Sequence, residues 1–123
     1  MKFSHIALAL VLVAFMLGTV AACRTVAISG PQKYKVDISN VLLKMKLELD
    51  RDGQITDATI SKLENVLAKH EEEFAGKGSY LRAQEILQLE EIARAEPAKA
   101  FHQHESIKMD IDMIFEMLKT EIK

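Results

Sequence analysis

Apolar residues fall into five blocks along this chain, separated by polar turns. The first is continuous: seventeen residues from Ile6 to Ala22 carry no charge. The other four are periodic. In residues 36–49, Ile38, Val41, Leu42, Met45 and Leu49 fall at helical spacing. The same segment also alternates, with Leu43, Met45, Leu47 and Leu49 set between Lys44, Lys46, Glu48 and Asp50, as in a half-buried strand. Both readings stand on this pattern, and the helical neighbours favour helix. Asp50-Arg51-Asp52-Gly53 reads as a turn. Thr56 is then a good N-cap, with Asp57 complementing the positive helix terminus. Ile60, Leu63, Leu67, His70 and Phe74, widened by Val66, predict an amphipathic helix over 57–75. Gly76 suits the position just past its end, and Ser79 suits the cap of the next helix. That helix has Leu81, Ile86, Leu89, Ile92 and Ala93 as its apolar positions, flanked by Ala83 and Leu87. Pro97 separates it from the last one, since proline disfavours helix before it and suits a first helical turn. From there Phe101, His104, Ile107, Ile111, Ile114, Leu118 and Ile122 predict a long helix over 98–122.

The expected fold class is therefore all-α. Four amphipathic segments joined by short turns imply a small antiparallel helical bundle over residues 36–123, after an N-terminal signal helix. Residues 23–35 contain Gly30 and Pro31 and show no sustained apolar period, so they read as a tether. About 100 residues follow the first apolar block, enough for one domain with a modest core. The net charge is −2, and −3 once Lys2 is removed with the first block. No basic run suggests nucleic acid, and no acidic tail is present. The absence of tryptophan and the few aromatics speak against a carbohydrate-stacking surface.

Cys23 is the only cysteine, and it closes the first block after Val20-Ala21-Ala22. A basic start at Lys2, an apolar run and small residues at the end make a secretory signal. The placement of the cysteine resembles a bacterial lipoprotein signal, whose lipobox ends in cysteine. That resemblance implies cleavage after residue 22, a diacylglycerol on the Cys23 thiol and an acyl chain such as palmitate on its new amine. Several chains hold a membrane firmly where one does so only marginally. Arg24, rather than aspartate, follows the cysteine. In the enterobacterial lipoproteins this implies the outer membrane, with the domain facing the periplasm of the cell envelope. With Cys23 lipidated no thiol remains for a disulfide, so the domain must depend on packing.

Residues 48–59 resemble half of an EF-hand calcium loop. With Gly53 at the turn position, Glu48, Asp50 and Asp52 fall at the first three ligand positions and Ile55 at the eighth. The twelfth position is Thr59, where the family has a bidentate glutamate. The resemblance implies at most a weak calcium-responsive module. A helix–helix turn accounts for the same residues, and no metal site is expected. His102 and His104 point about 200° apart on a helix, which is poor ligand spacing. His70 and His104 lie on apolar stripes and could meet across a bundle. Glu71, Glu72, Glu73, Glu90 and Glu91 read as solvated charge runs. Met109, Met113 and Met117 step by four beside the last isoleucine stripe, and with Met45 read as core filler or as an adaptable binding surface.

No acid–base or nucleophile set converges, so the expectation is a non-enzymatic protein with no cofactor beyond the covalent lipid. Its expected partners are the membrane, through the lipid, and an envelope protein or a second copy. Its expected role is an interaction or accessory subunit. Lys123 ends the sequence, as lysine ends small helical lipoproteins that are joined to peptidoglycan. That likeness implies a structural tether or spacer as the alternative role. On it, Lys123→Ala releases the chain from purified cell-wall sacculi; unchanged attachment rules the link out.

Overall fold

The computed structural model describes residues 30–122. The lipobox-like stretch with Cys23, and Lys123, lie outside them. Five α-helices follow one another: α1 (Gly30–Asp52), α2 (Asp57–Lys69), the single turn α3 (Glu71–Phe74), α4 (Gly78–Ala95) and α5 (Ala100–Glu121), with a 3-10 turn at Pro97–Lys99 before α5. Among the described residues there is no strand. The fold class is all-α, as the periodicity predicts.

Polar contacts between helices fix the direction of each neighbour. Asp37 meets His70 and Lys69 at one end of α1, and Glu48 meets Thr56 at the other, so α1 and α2 run antiparallel. Lys46–Asp112 and Lys108–Asp50 set α1 antiparallel to α5. Tyr80 donates to the Leu67 carbonyl while Arg94 meets Asp57, which sets α2 antiparallel to α4. Ser79–Glu121 and Arg82–Asp110 do the same for α4 and α5. The result is an up-down-up-down bundle.

The core is a single cluster drawn from all four long helices. Tyr34, Ile38, Leu42 and Met45 of α1, Leu63 and Leu67 of α2, Ala83 and Ile86 of α4, and Ile107, Ile111, Ile114 and Leu118 of α5 are buried in it. Each fully buried aliphatic side chain stabilises the fold by about 1.5–3 kcal/mol.

Residues 36–49 are helical. The strand-like alternation has a helical cause. Met45 and Leu49 face the core, whereas Leu43 and Leu47 point outward on the opposite side and are exposed. Helix α1 starts at Gly30, not at residue 36, so the expected tether shortens. Pro31 falls in the first turn, where its missing N–H breaks no helical bond. One turn on, Tyr34 is buried and stacks on Phe74, with ring centroids 4.1 Å apart. A single buried aromatic one turn before Ile38 is too little to register as a period.

The helix expected over 57–75 breaks at His70, which leaves the helical geometry before α3 resumes it. The expected caps are partly exchanged. Thr56 is the N-cap of α2, and its hydroxyl accepts from the Thr59 N–H. Ser79 does not cap α4. It sits one residue inside the helix, buried, with Lys77 at the N-cap. Glu121 takes that role from the far end of α5, accepting from the Ser79 N–H at 3.0 Å and from the Ser79 hydroxyl. Because Ser79 donates to Glu121, the Tyr34 hydroxyl donates to Ser79 at 2.8 Å. Burial, ahead of every other influence, pushes the Tyr34 hydroxyl up to about 12.

The buried face of α4 also differs from expectation. Tyr80, Ala83, Ile86, Glu90 and Ala93 line it, and Leu81 and Ile92 are exposed. The two alanines let α4 lie close along α5, and Glu90 holds a core-facing position that its polarity conceals in the sequence. Phe101, expected in the last stripe, is 78% exposed at the start of α5.

Gly53 is the one described residue with positive φ, at +73°, and its N–H closes α1 on the Leu49 carbonyl. Gly76 does not adopt the left-handed conformation expected of it. A Cβ at either position meets nothing within 4 Å, so only backbone strain separates them. Gly53→Ala is expected to cost about 1 kcal/mol in urea unfolding. Gly76→Ala is expected to be neutral or slightly stabilising. Equal losses at both positions contradict this assignment.

Candidate functional site

The carboxylates of the EF-hand-like segment are dispersed by the helix that carries them. Residues 48–52 form the last turn of α1, so alternate positions lie about 200° apart. Glu48 turns inward. It accepts from the Thr56 N–H at 3.0 Å, the Thr56 hydroxyl at 3.2 Å and the Thr59 hydroxyl at 2.8 Å. Burial works to raise its pKa, but these donors outweigh it and hold the carboxyl below its ordinary value. Asp50 pairs with Lys108 and Asp52 with Arg51. Among the described residues no three His, Cys, Asp or Glu side chains are placed to hold a metal ion.

The stripe histidines do not meet. Each has its own carboxylate. His70 lies 2.9 Å from Asp37 and edge-on to Tyr34, and His104 lies 3.4 Å from Glu90. Burial alone raises the Asp37 pKa, but the hydrogen bonds from His70, Lys33 and Lys69 together bring it below the ordinary value. His102 is exposed.

Of the acidic residues expected on solvated faces, Glu71, Glu72, Glu73 and Glu91 are exposed, and Glu90 is not. Glu90 is buried, with Oε1 3.6 Å from Arg94 Nε and Oε2 without a donor. It lies beside an open cleft of about 670 Å³ between the α2 N-terminus, the end of α4 and the start of α5. Arg94 crosses that cleft to the Ile55 carbonyl and the Asp57 carboxylate, tying the turn before α2 to α4. Thr56 is the hydroxyl residue in the lining, and Glu48 and Thr59 occupy it. The cleft therefore offers an imidazole–carboxylate pair without a free nucleophile beside it.

A second acidic pair lies in the groove between α4 and α5. Asp110 is buried, 3.4 Å from Arg82 Nη1, and its Oδ2 has no donor. Burial first, and then the hydrogen bond and negative charge of Glu85, push the Asp110 carboxyl up to about 6 against the pull of Arg82. Glu85 moves the other way, below its ordinary value, chiefly through that same hydrogen bond. Below about pH 6 a proton on Asp110 supplies the donor that the pair otherwise lacks. Sequence patterning missed Glu90 and Asp110 because each is an acid at a core-facing position. The signal was spacing: Glu90 falls four after Ile86 and three before Ala93, and Asp110 three after Ile107 and four before Ile114.

Around this pair the groove is rich in sulfur. Met109 and Met113 are exposed, Met117 is half-buried and Leu81 is exposed across from them. Met45 alone of the four singled-out methionines is fully buried in the core. No protein-family model, curated protein or solved structure matches the chain, so its function is argued from its own residues.

Asp110 holds its proton more tightly folded than unfolded. Folding therefore takes up a proton between about pH 3.8 and pH 6, and stability falls as pH rises through that window. Asp110→Asn removes the cost of the buried charge and keeps a donor for Glu85. It is expected to stabilise the fold by about 1 kcal/mol at pH 7, with no gain below pH 3.8, in thermal melts across pH. A gain that is constant across this range contradicts the proton assigned to Asp110.

Proposed function

We propose that this chain is a lipid-anchored protein of the bacterial envelope, held through Cys23. Its helical domain acts as a non-enzymatic interaction or accessory subunit. The observation that carries the anchor is the uncharged run ending in Val20-Ala21-Ala22-Cys23. Among the described residues no helix is long and apolar enough to cross a membrane. Arg24 supports the outer membrane, facing the periplasm.

The α4–α5 groove supports the interaction role. Two shallow depressions of about 440 and 260 Å³ share Arg82 and Glu85 and are bordered by Leu81, Met109, Met113 and Met117. Methionine is unbranched and polarizable and repacks readily against a partner. The arginine and the acid pair between the depressions add polar groups that fix orientation.

Cys23→Ala is expected to move the protein out of the membrane fraction; unchanged fractionation sinks the anchor. A photo-crosslinker at position 113 is expected to capture one abundant envelope protein in cells, with capture lost in the Cys23→Ala background. Self-crosslinks or peptidoglycan fragments alone favour the structural tether instead.

A further inference from the structure

Helix α1 is apolar on two sides. Its inner side carries the core residues already described. On the opposite side Val36, Leu43 and Leu47 are 45%, 51% and 65% exposed. At about 100° per residue these three fall within about 40° of one line, over a length of roughly 16 Å. Among the described residues no other helix covers them. A soluble bundle gains nothing from three exposed aliphatic side chains in a row, so the stripe is a surface with an occupant to account for.

Basic residues frame it. Lys33, Lys44 and Arg51 flank the stripe on the α2 side, and Lys46 borders it on the α5 side, with Lys35 beyond. Lys33, Lys46 and Arg51 pair with Asp37, Asp112 and Asp52, so the cations that bear on an outside anion are Lys44 and Lys35, with Lys62 of α2. Lys62 of α2 stands against Lys44, and the two ammonium groups press on one another: contact with Lys44 is the chief cause holding Lys62 below the ordinary lysine value. Glu48 is the carboxylate that acts on both lysines, and its oxygens are already taken by Thr56 and Thr59. An anion placed between Lys44 and Lys62 relieves that repulsion. A chain of net charge −2 thus sets two cations side by side at this edge of the stripe.

We propose that this face of α1 lies on an anionic lipid surface, with Val36, Leu43 and Leu47 among the headgroups and Lys44 and Lys62 on lipid phosphates. An apolar stripe bordered by lysine is the pattern of a helix that lies in a membrane interface. Chain length favours the same occupant. Six residues separate Cys23 from Gly30. That length reaches no more than about 25 Å, so a lipid on Cys23 keeps α1 near the bilayer. A second copy of the chain is a poorer occupant, because pairing two such faces sets lysine rows against each other. The inference rests in part on the lipid anchor proposed above, and it specifies how the anchored domain is oriented.

The test uses the full chain, purified from membranes and returned to vesicles of phosphatidylethanolamine and phosphatidylglycerol. A nitroxide label is placed through Leu47→Cys, or through Glu72→Cys on the solvated α3 turn. Collision with a water-soluble nickel complex reads exposure. The label at 47 is expected to be several-fold less accessible than the label at 72, and Lys44→Glu/Lys62→Glu is expected to remove most of that difference. Intact mass of the N-terminal peptide reads the lipid separately. A lipidated Cys23 with equal accessibility at 47 and 72 overturns the lipid face and leaves the anchor standing. Protection at 47 on a chain without lipid overturns the anchor and leaves the face standing. Disulfide-linked dimers through Leu47→Cys, with protection unchanged by the lysine substitutions, assign the stripe to a second copy and overturn the proposal.

Discussion

A carboxylate borrowed from a different helix closes a helix N-terminus at each end of this bundle. At one end Glu48, near the close of α1, accepts from the N–H and hydroxyl of Thr56 and from the hydroxyl of Thr59, where α2 begins. At the other end Glu121, the last residue of α5, accepts from the N–H and hydroxyl of Ser79, where α4 begins. Helix starts leave N–H groups without partners and carry partial positive charge, so a carboxylate there meets both needs. A local cap secures one helix. A cap supplied across the bundle also fixes which helix ends lie together. Tyr34 extends the second lock to a third helix through Ser79, so α1, α4 and α5 are tied at one point. These two locks bound the core lengthwise, and the isoleucine and leucine stripes fill the space between them.

The remaining buried and half-buried acids divide into those with enough donors and those without. Asp37 has His70, Lys33 and Lys69, and its charge is favoured. Asp110 has one arginine, at 3.4 Å, and an acidic neighbour, and its charge is opposed. Glu90 stands between, with one oxygen facing Arg94 and His104 and the other without a donor. The well-supplied acids join helices. The poorly supplied ones lie on α4 and α5, beside the cleft and the methionine-lined groove. A buried acid short of donors costs stability, and here that cost is confined to the surfaces left open between helices. The bundle thereby presents two chemically different faces: an aliphatic one on α1 edged by Lys44, and an arginine–acid groove edged with methionine between α4 and α5.

The sequence by itself determined the helices. Spacing of three and four marks α2 and α5, the Thr56 cap stands as read, and the all-α class follows from four such segments; the turn expected over 50–53 is shorter, because α1 continues through Asp52 and the chain turns at Gly53. Those features depend on residues near one another in the chain, and local periodicity and backbone preference report them directly. What only the tertiary structure decided is which polar groups face inward. Glu48 falls at a ligand position of a calcium-loop-like segment, Ser79 reads as a cap and Glu90 as a solvated charge until α2, α5 and the end of α4 are set beside them. The partners of Glu48 lie eight and eleven residues away, and that of Ser79 forty-two. The outward stripe on α1 was hidden likewise. Leu43 and Leu47 cannot be told from Met45 and Leu49 by hydrophobicity, and only the position of the neighbouring helices makes one pair core and the other surface.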